Sequence, residues 1–295
     1  MVRMALASKT VQEEALVSRE AWAMLGCSDL EPYTTWDFPD QGAGTTAFGD
    51  ATFNGVTPAL CALNLIRRYT RPGDLVVDPM AGSGTIADVA RSLGRRAVSL
   101  DIAPRRRGIV RADARCWPLP DGAATLAIID SPYSDNLVYS DDPRCLGRIS
   151  CREGRFYREL ARVADEGRRV LRPGGILAWI ISDEYKGGVY TPVGFRLQTV
   201  LASRFEFLDT VALLRHNDRS ASPMWEHRAR RYNFLLRGFK FLFLMRRPAG
   251  LRGRTVYGRR TGSNERRIAG DSRRIPEEDP RAGARARGQD PREGE

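Results

Sequence analysis

The fold is indicated by two short stretches, Leu-Val-Val-Asp-Pro-Met-Ala-Gly-Ser-Gly-Thr at residues 75–85 and Leu-Ala-Ile-Ile-Asp-Ser-Pro-Tyr at residues 126–133. Each is an apolar run that ends in an aspartate and a loop, which is typical of a buried strand followed by a ligand-binding turn. In an open parallel sheet, ligands bind outside the carboxyl ends of the strands. We therefore expect the two loops to lie side by side, one holding a cofactor and the other a substrate.

Predicted strands and helices alternate around these stretches. The strands are expected at 74–78, 96–101, 108–112, 125–130, 176–182, 205–214 and 233–245, and the helices at 59–69, 85–93, 156–170 and 193–203. This alternation is typical of an α/β fold with a mostly parallel sheet. Pro58 suits the first turn of the helix that it opens, and Arg-Pro-Gly-Gly at 172–175 predicts the end of the third helix.

The two ends of the chain differ from its middle in composition. Residues 1–50 combine a helix-like stretch, Val11 to Leu25, with part of a loop rich in Gly, Thr, Asp and aromatic residues. Residues 248–295 carry 12 Arg and 8 Asp or Glu and almost no large apolar residue, so this tail cannot bury enough surface to fold alone. We predict an extension at 1–50, one α/β domain at 51–247 and a disordered tail at 248–295.

Composition argues against several classes of protein. No apolar run approaches the roughly 20 residues of a membrane helix, and the N-terminus lacks the pattern of a signal peptide, so we expect a cytoplasmic protein without membrane contact. Five scattered cysteines without a Cys-x-x-Cys pair, and only two histidines, argue against a disulfide framework and against a metal site. The net charge of +11 favours a polyanionic partner such as nucleic acid.

The loop at 78–85 has the features of a cofactor site. Its glycines let the backbone approach a ligand closely, and the free amides at a helix start favour a carboxylate or phosphate. The Gly-Lys-Ser/Thr ending of a triphosphate loop is absent. Two further acids, Asp101 and Asp113, end the next two predicted strands. Asp101 follows Asp78 by 23 residues (101 − 78), close to the spacing of about 20 at which an acid meets ribose hydroxyls.

Both loops resemble motifs of one protein family. Asp-Pro-Met-Ala-Gly-Ser-Gly-Thr at 78–85 is similar to the first motif of the S-adenosylmethionine-dependent amino-methyltransferases, usually Asp-Pro-Phe-x-Gly-Ser-Gly-Thr. Asp-Ser-Pro-Tyr at 130–133 resembles their fourth motif, usually Asp-Pro-Pro-Tyr. The resemblance covers about residues 50–247. It implies a Rossmann-like class I methyltransferase fold, with a mostly parallel seven-stranded sheet and helices on both faces.

The resemblance also implies an enzyme that uses S-adenosyl-L-methionine. An exocyclic amine is a poor nucleophile, because its lone pair is delocalised into the ring. Asp130 and the backbone carbonyl of Ser131 would accept its hydrogens, and Tyr133 would stack on the ring. Catalytic residues are therefore expected at Asp130, Ser131, Pro132 and Tyr133. Cofactor contacts are expected from Asp78, Met80, Ala81, Gly82, Ser83, Gly84, Thr85, Asp101, Ile102, Asp113 and Ala114.

The expected substrate is a DNA base, at adenine N6 or cytosine N4, flipped out of the duplex. Ser131 departs from the proline of the family motif, although the backbone carbonyl is kept. The first residue of the motif, Asp130, is the residue that in the family usually accompanies purine or amide nitrogens. Guanine N2 of RNA and a non-catalytic nucleic-acid-binding subunit are the alternatives.

Further substrate contacts are predicted at Asn136 and Tyr139, which follow the Asp-Ser-Pro-Tyr loop, and in the connector at 215–232. Arginines mixed with aromatic residues in the connector at 215–232 suit a phosphate backbone with unstacked bases, and a solvated charged loop is the equal alternative. The candidates are Asn136, Tyr139, Arg215, Arg219, Trp225, Arg228, Arg230 and Arg231. We expect sequence specificity to be modest, or to come from residues 134–155, from residues 215–232 or from a partner protein.

Overall fold

An eight-stranded sheet runs through the part of the chain that the computed structural model describes, residues 30–39, 48–50, 52–53, 55–216 and 222–249. Its strands are β1 (Thr35–Trp36), β2 (Leu75–Asp78), β3 (Arg96–Asp101), β4 (Ile109–Arg111), β5 (Ala124–Asp130), β6 (Leu171–Ile181), β9 (Glu206–Leu214) and β10 (Phe239–Arg246). A separate hairpin is formed by β7 (Glu184–Lys186) and β8 (Val189–Thr191). The helices are α1 (Ala59–Tyr69), α2 (Thr85–Ser92), α3 (Gly154–Val170), α4 (Val193–Ala202) and α5 (Pro223–Arg231).

The order of the strands is β1-β9-β10-β6-β5-β2-β3-β4. From β6 to β4 every neighbouring pair is parallel, whereas β10 is antiparallel to both β6 and β9. The predicted α/β class with a mostly parallel sheet is therefore confirmed. The seven predicted strands are all present, and the two-residue β1 adds an eighth at the edge beside β9.

Helices cover both faces of the sheet, which explains the apolar run at residues 126–129 of its central strand, β5. Leu126 and Ile128 of β5 pack with α1 and α2 on one face. The alternate residues Ala127 and Ile129 pack with α3 and α4 on the other face. Side chains alternate between the faces of a strand, so a strand with both faces buried has no polar residue from Leu126 until it ends at Asp130.

Several local predictions are corrected. The predicted strand at 233–245 begins only at Phe239, and the connector before it contains α5, which starts with Pro223 directly after Ser222. Strand β6 begins at Leu171, because the Pro-Gly-Gly segment is hydrogen-bonded to the residue that follows β10. The Gly174 amide donates to the Arg247 carbonyl, and the Arg247 amide donates to the Gly175 carbonyl. Asp113 lies two residues beyond the end of β4 (113 − 111) and does not end that strand directly.

The predicted N-terminal helix at 11–25 and most of the predicted tail lie outside the described residues. The domain boundaries at residues 50 and 247 stay predictions. Within the described ranges, no helix has the length and apolar character needed to cross a membrane.

Candidate active site

The glycine-rich loop and the Asp-Ser-Pro-Tyr loop line one cavity of about 1570 Å³. Strands β2 and β5 are hydrogen-bonded neighbours, with Val76 paired to Leu126 and Val77 to Ala127. The loops that follow them therefore emerge at the same carboxyl edge of the sheet, as expected for a ligand site in an open α/β fold.

The glycine-rich loop is shaped by left-handed backbone and covered by an aromatic side chain. Gly82 has φ +45° and Gly84 has φ +80°, conformations that glycine adopts readily. A Cβ at Gly82 would lie only 2.7 Å from the ring of Phe53. That ring in turn lies 6.3 Å from the ring of Tyr139, in a stacked arrangement. The segment before α1 therefore packs directly on the loop, and no larger residue fits at Gly82 without moving it.

The acid at the end of β3 holds the loop through its backbone. Asp101 accepts a hydrogen bond from the Gly82 amide at 2.9 Å and another from the Ala103 amide at 2.8 Å. Its side chain also lines the cavity. Asp101 is thus in a position both to fix the loop and to meet a ligand.

Asp113 is engaged by an arginine that the sequence did not single out. The Arg115 side chain donates to both carboxylate oxygens, at 2.8 and 2.6 Å, and also pairs with Glu159 at 2.5 Å. Burial raises the pKa of the Asp113 carboxyl, but the hydrogen bonds from Arg115 outweigh it and leave the pKa below its ordinary value. Asp113 therefore lines the cavity as a carboxylate that is already paired with Arg115.

Three of the predicted cofactor residues lie behind the cavity wall. Asp78 is 2% exposed and accepts a hydrogen bond from the Met80 amide at 3.2 Å. Burial raises the pKa of Asp78 well above its usual range, and the neighbouring Asp101 and Asp130 raise it further. Gly84 and Thr85, at the start of α2, also lie outside the lining. The lining includes Met80, Ala81, Gly82, Ser83, Asp101, Ile102, Asp113 and Ala114.

Asp130 is held in the cavity by two side chains that the sequence did not reveal. The Lys240 ammonium lies 3.1 Å from Oδ1 and 3.0 Å from Oδ2 of Asp130. The Thr57 hydroxyl donates to Oδ2 at 3.2 Å. The Lys240 and Asp130 side chains are 20% and 11% exposed. The available signal was a lysine that directly precedes the apolar run at 241–245, in a chain whose only lysines are Lys9, Lys186 and Lys240.

Ser131, which replaces the proline of the family motif, anchors its loop by its side chain. Its hydroxyl accepts a hydrogen bond from Nε1 of Trp179 at 2.9 Å, and its amide donates to the carbonyl of Ile180 at 3.3 Å. Ser131 is 5% exposed and Trp179 is fully buried. The serine therefore replaces the rigidity of a proline ring with a buried hydrogen bond to β6.

We expect Ser131→Ala to lower the free energy of unfolding by about 1–3 kcal/mol, because the buried Trp179 N–H loses its acceptor. Urea denaturation of the wild type and the variant measures this difference. Ser203→Ala is the control, since Ser203 is exposed and its hydroxyl bonds to the Val200 carbonyl and to Arg204 at the surface. Equal stability of Ser131→Ala and the wild type would contradict the anchoring role.

The predicted substrate residues divide into those that line the cavity and those that do not. Asn136, Tyr139, Arg215, Trp225 and Arg228 are in the lining, together with Pro132 and Tyr133. On the outer part of α5, Arg230 pairs with Glu226 at 3.0 Å, and Arg231 lies 5.6 Å over the ring of Tyr232. Arg219 falls outside the described residues. Burial raises the pKa of Tyr139, so its hydroxyl remains a donor at neutral pH.

The hairpin β7–β8 forms a part of the cavity that was not predicted. Residues 183–188 line the opening, and the ring of Tyr185 stacks on that of Phe234 at 5.5 Å. Arg237 lies 5.3 Å over the ring of Tyr190. The signal was local, since Gly187 and Gly188, both with positive φ, are a typical two-residue hairpin turn.

Comparisons with known proteins agree with the motifs. Residues 10–110 match the DNA methylase family; this match includes the cofactor loop and Asp101 and ends before the loop at 130–133. No curated protein matches the chain.

Solved structures with a similar arrangement include two proteins from Thermus thermophilus. TrmN is 19% identical, with a TM-score of 0.43 over 66% of this chain and 50% of its own. A candidate DNA modification methylase, complexed with S-adenosyl-L-methionine, is 24% identical, with a TM-score of 0.34 over 49% of this chain and 57% of its own. The chain thus spans only about half the length of these two proteins.

The family match confirms the resemblance that the first motif carried. The sheet order, with β10 inserted antiparallel between β6 and β9, is that of the Rossmann-like class I fold. Together, the match of residues 10–110 to the DNA methylase family, the sheet order and the two motif loops support the resemblance to the S-adenosylmethionine-dependent amino-methyltransferases.

Proposed function

We propose that this chain transfers the methyl group of S-adenosylmethionine to an exocyclic amino group of a DNA base, adenine N6 or cytosine N4. The observation that supports this most is the position of Asp130. Its carboxylate lies in the same cavity as the glycine-rich loop, held by Lys240 and Thr57. A methyl donor bound at one loop and an amine bound at the other would thus share one enclosure.

The residues of the cofactor side fit the proposed ligand. When bound, S-adenosylmethionine supplies an electrophilic methyl group on a cationic sulfur. The carboxylates of Asp101, Asp113 and Asp130 all line the cavity, and such a set favours a cation together with hydroxyl and amino donors. Gly82 has no Cβ, so Phe53 packs directly on the loop at this position.

On the substrate side, Asp130 and Tyr133 would hold the base. Asp130 would accept one amine hydrogen and the Ser131 carbonyl the other, so that acceptors face the nitrogen as it becomes positive. Tyr133, half-buried against the core, would stack on the ring. Methyl transfer to an amine needs no general base at the moment of attack, since the proton leaves afterwards. His216 and His227 are therefore not assigned a catalytic role.

DNA is the preferred nucleic acid, because the matched family is described as DNA methylase. Around the opening, Arg215, Arg228 and Trp225 offer cations for phosphates and a ring for stacking. A duplex base would have to flip out to reach Asp130. A partner protein that supplies sequence specificity, and a cytoplasmic location, stay part of this proposal.

Product analysis tests the proposal. The full chain is incubated with labelled S-adenosylmethionine and either duplex DNA or total RNA, and the nucleic acid is digested to nucleosides. We expect label in N6-methyladenine or N4-methylcytosine from DNA. Label in N2-methylguanine from RNA alone would favour the RNA alternative. Cofactor binding without any labelled nucleoside would point to the non-catalytic nucleic-acid-binding subunit.

A further inference from the structure

We propose that Lys240 recognises the ring nitrogen next to the target amine, so that Asp130 and Lys240 together read an amine donor beside a ring acceptor. This inference rests on the proposed function and narrows its substrate. It selects adenine, with N6 beside N1, and cytosine, with N4 beside N3. In guanine, N2 has the N1–H donor on its Watson–Crick side and the acceptor N3 on its sugar side, so guanine fits this pair of residues only from the sugar side.

The hydrogen-bonding capacity of Asp130 is not exhausted by its neighbours. A carboxylate offers about four lone-pair positions. Oδ2 accepts from Lys240 at 3.0 Å and from Thr57 at 3.2 Å. Oδ1 accepts from Lys240 at 3.1 Å and has no other protein donor among the described residues. Oδ1 is therefore the oxygen with a position left for an amine hydrogen.

Among the described residues, Lys240 has no hydrogen-bond partner besides Asp130, which leaves one of its donors available in the same place. An ammonium carries three N–H donors, and two of them face the two oxygens of Asp130. Both Lys240 and Asp130 line the cavity, so the third donor and the free side of Oδ1 are neighbours at its wall. A donor next to an acceptor is the complement of an amine next to a ring nitrogen, the pattern read on a flipped base.

The surroundings explain why Lys240 would contribute here more than an exposed lysine does. Its side chain is only 20% exposed. Hydrogen bonds to a charged donor are stronger where water is largely excluded. The other lysine of the lining, Lys186, is directed to Asp135 at 3.2 Å and is 51% exposed.

A cation beside the amine opposes the positive charge that develops on nitrogen during attack. Lys240 should therefore act in binding and selecting the base, while Asp130 offsets the charge in the transition state. Lys240 therefore has a role in specificity, and its replacement should change mainly KM. A residue that only supported Asp130 structurally would not discriminate between bases with and without the ring nitrogen.

Substrate analogues that lack the ring acceptor test this role. Duplex oligonucleotides carry the natural target base or its deaza analogue, 1-deazaadenine or 3-deazacytosine, in which CH replaces the ring nitrogen. kcat/KM is measured for the wild type and Lys240→Met with both substrates. We expect the wild type to lose about tenfold to hundredfold on the analogue, the magnitude of a charged hydrogen bond. Lys240→Met should be reduced on the natural base and lose nothing further on the analogue.

The comparison of the two losses removes the intrinsic effect of the analogue on the amine, because that effect acts equally on both proteins. Arg162→Met removes an exposed cation of α3 that lies outside the cavity lining. It is the matched control and should keep the wild-type discrimination. Lys240→Arg, which retains a donor, should keep part of it. Lys240→Leu, which also lacks a donor, replaces Lys240→Met if the latter does not fold.

The outcomes separate this inference from the proposed function. Equal losses on the analogue in the wild type and Lys240→Met would overturn the role of Lys240 and leave the methyltransferase standing. A wild type that loses nothing on the analogue would likewise overturn it while keeping the enzyme class. Absence of methyl transfer to any base would overturn both.

Discussion

Asp130→Ala is expected to lower kcat/KM for methylation of the target base by about 10²–10³-fold, the usual effect of removing one preorganised electrostatic group. The reason is that Asp130 provides the only side-chain carboxylate in the Asp-Ser-Pro-Tyr loop, and that Lys240 and Thr57 fix its orientation. Affinity for S-adenosylmethionine should change little, because the glycine-rich loop is held by Asp101. Steady-state kinetics with the DNA substrate and cofactor binding by calorimetry measure the two quantities.

The variant leaves the Lys240 ammonium without its carboxylate, so its effect needs to be separated from disturbance of the fold. Asp130→Ala/Lys240→Met removes the unpaired charge. If the double variant recovered wild-type activity, the loss would belong to the lysine and the catalytic role of Asp130 would be wrong. Asp121→Ala is the matched control. Asp121 precedes the amino end of β5, whereas Asp130 is at the carboxyl end. Asp121 is 77% exposed and pairs with Arg169.

The fold could be predicted from the sequence because its signals are local. The apolar runs at 75–77 and 126–129 are long enough for buried strands, and each ends where its aspartate begins. Helix α1 starts and ends where Pro58 and the apolar spacing indicate, at Ala59–Tyr69. Alternation of strands and helices then restricts the topology to a parallel sheet with few choices.

The predicted loops meet in the structure, but the contacts that complete the site come from distant segments. Lys240 is 110 residues from Asp130 in the sequence, and Thr57 is 73 residues from it. Lys240 reaches Asp130 because β10 lies next to β6, which in turn lies next to β5. A strand inserted antiparallel to its neighbours is not encoded in any short motif, so the ion pair could not be read from the chain.

Other parts of the site had local signals that apolar periodicity does not reveal. The hairpin β7–β8 is short, with exposed tyrosines on both strands, and only its Gly-Gly turn marks it. Helix α5 buries none of its residues, so its apolar pattern is weak and its start at Ser222-Pro223 was the remaining indication. Both elements contribute residues to the cavity lining, and their exposed aromatic and basic side chains are not part of the buried core.

Asp101→Ala is expected to weaken the binding of S-adenosylmethionine by about tenfold to hundredfold, the effect of losing charged hydrogen bonds in a partly enclosed site. Its carboxylate holds the Gly82 amide at 2.9 Å and the Ala103 amide at 2.8 Å. It also faces the cavity, where it would accept hydrogens from ribose hydroxyls. Removing it therefore loosens the loop and deletes a ligand contact together.

A graded series distinguishes these two contributions of Asp101. Asp101→Asn keeps one carbonyl oxygen and can satisfy one of the two amides, so its cofactor affinity should fall between the wild type and Asp101→Ala. Asp165→Ala is the control. Asp165 is an exposed residue of α3 that pairs with Arg204, so this variant should bind S-adenosylmethionine like the wild type. Titration calorimetry with the cofactor, and with an analogue that lacks the ribose hydroxyls, gives the affinities. Wild-type affinity in Asp101→Ala would show that neither the loop nor the ligand depends on this acid. A loss that is equally large for the analogue would assign the effect to the loop, since that ligand has no ribose hydroxyl to lose.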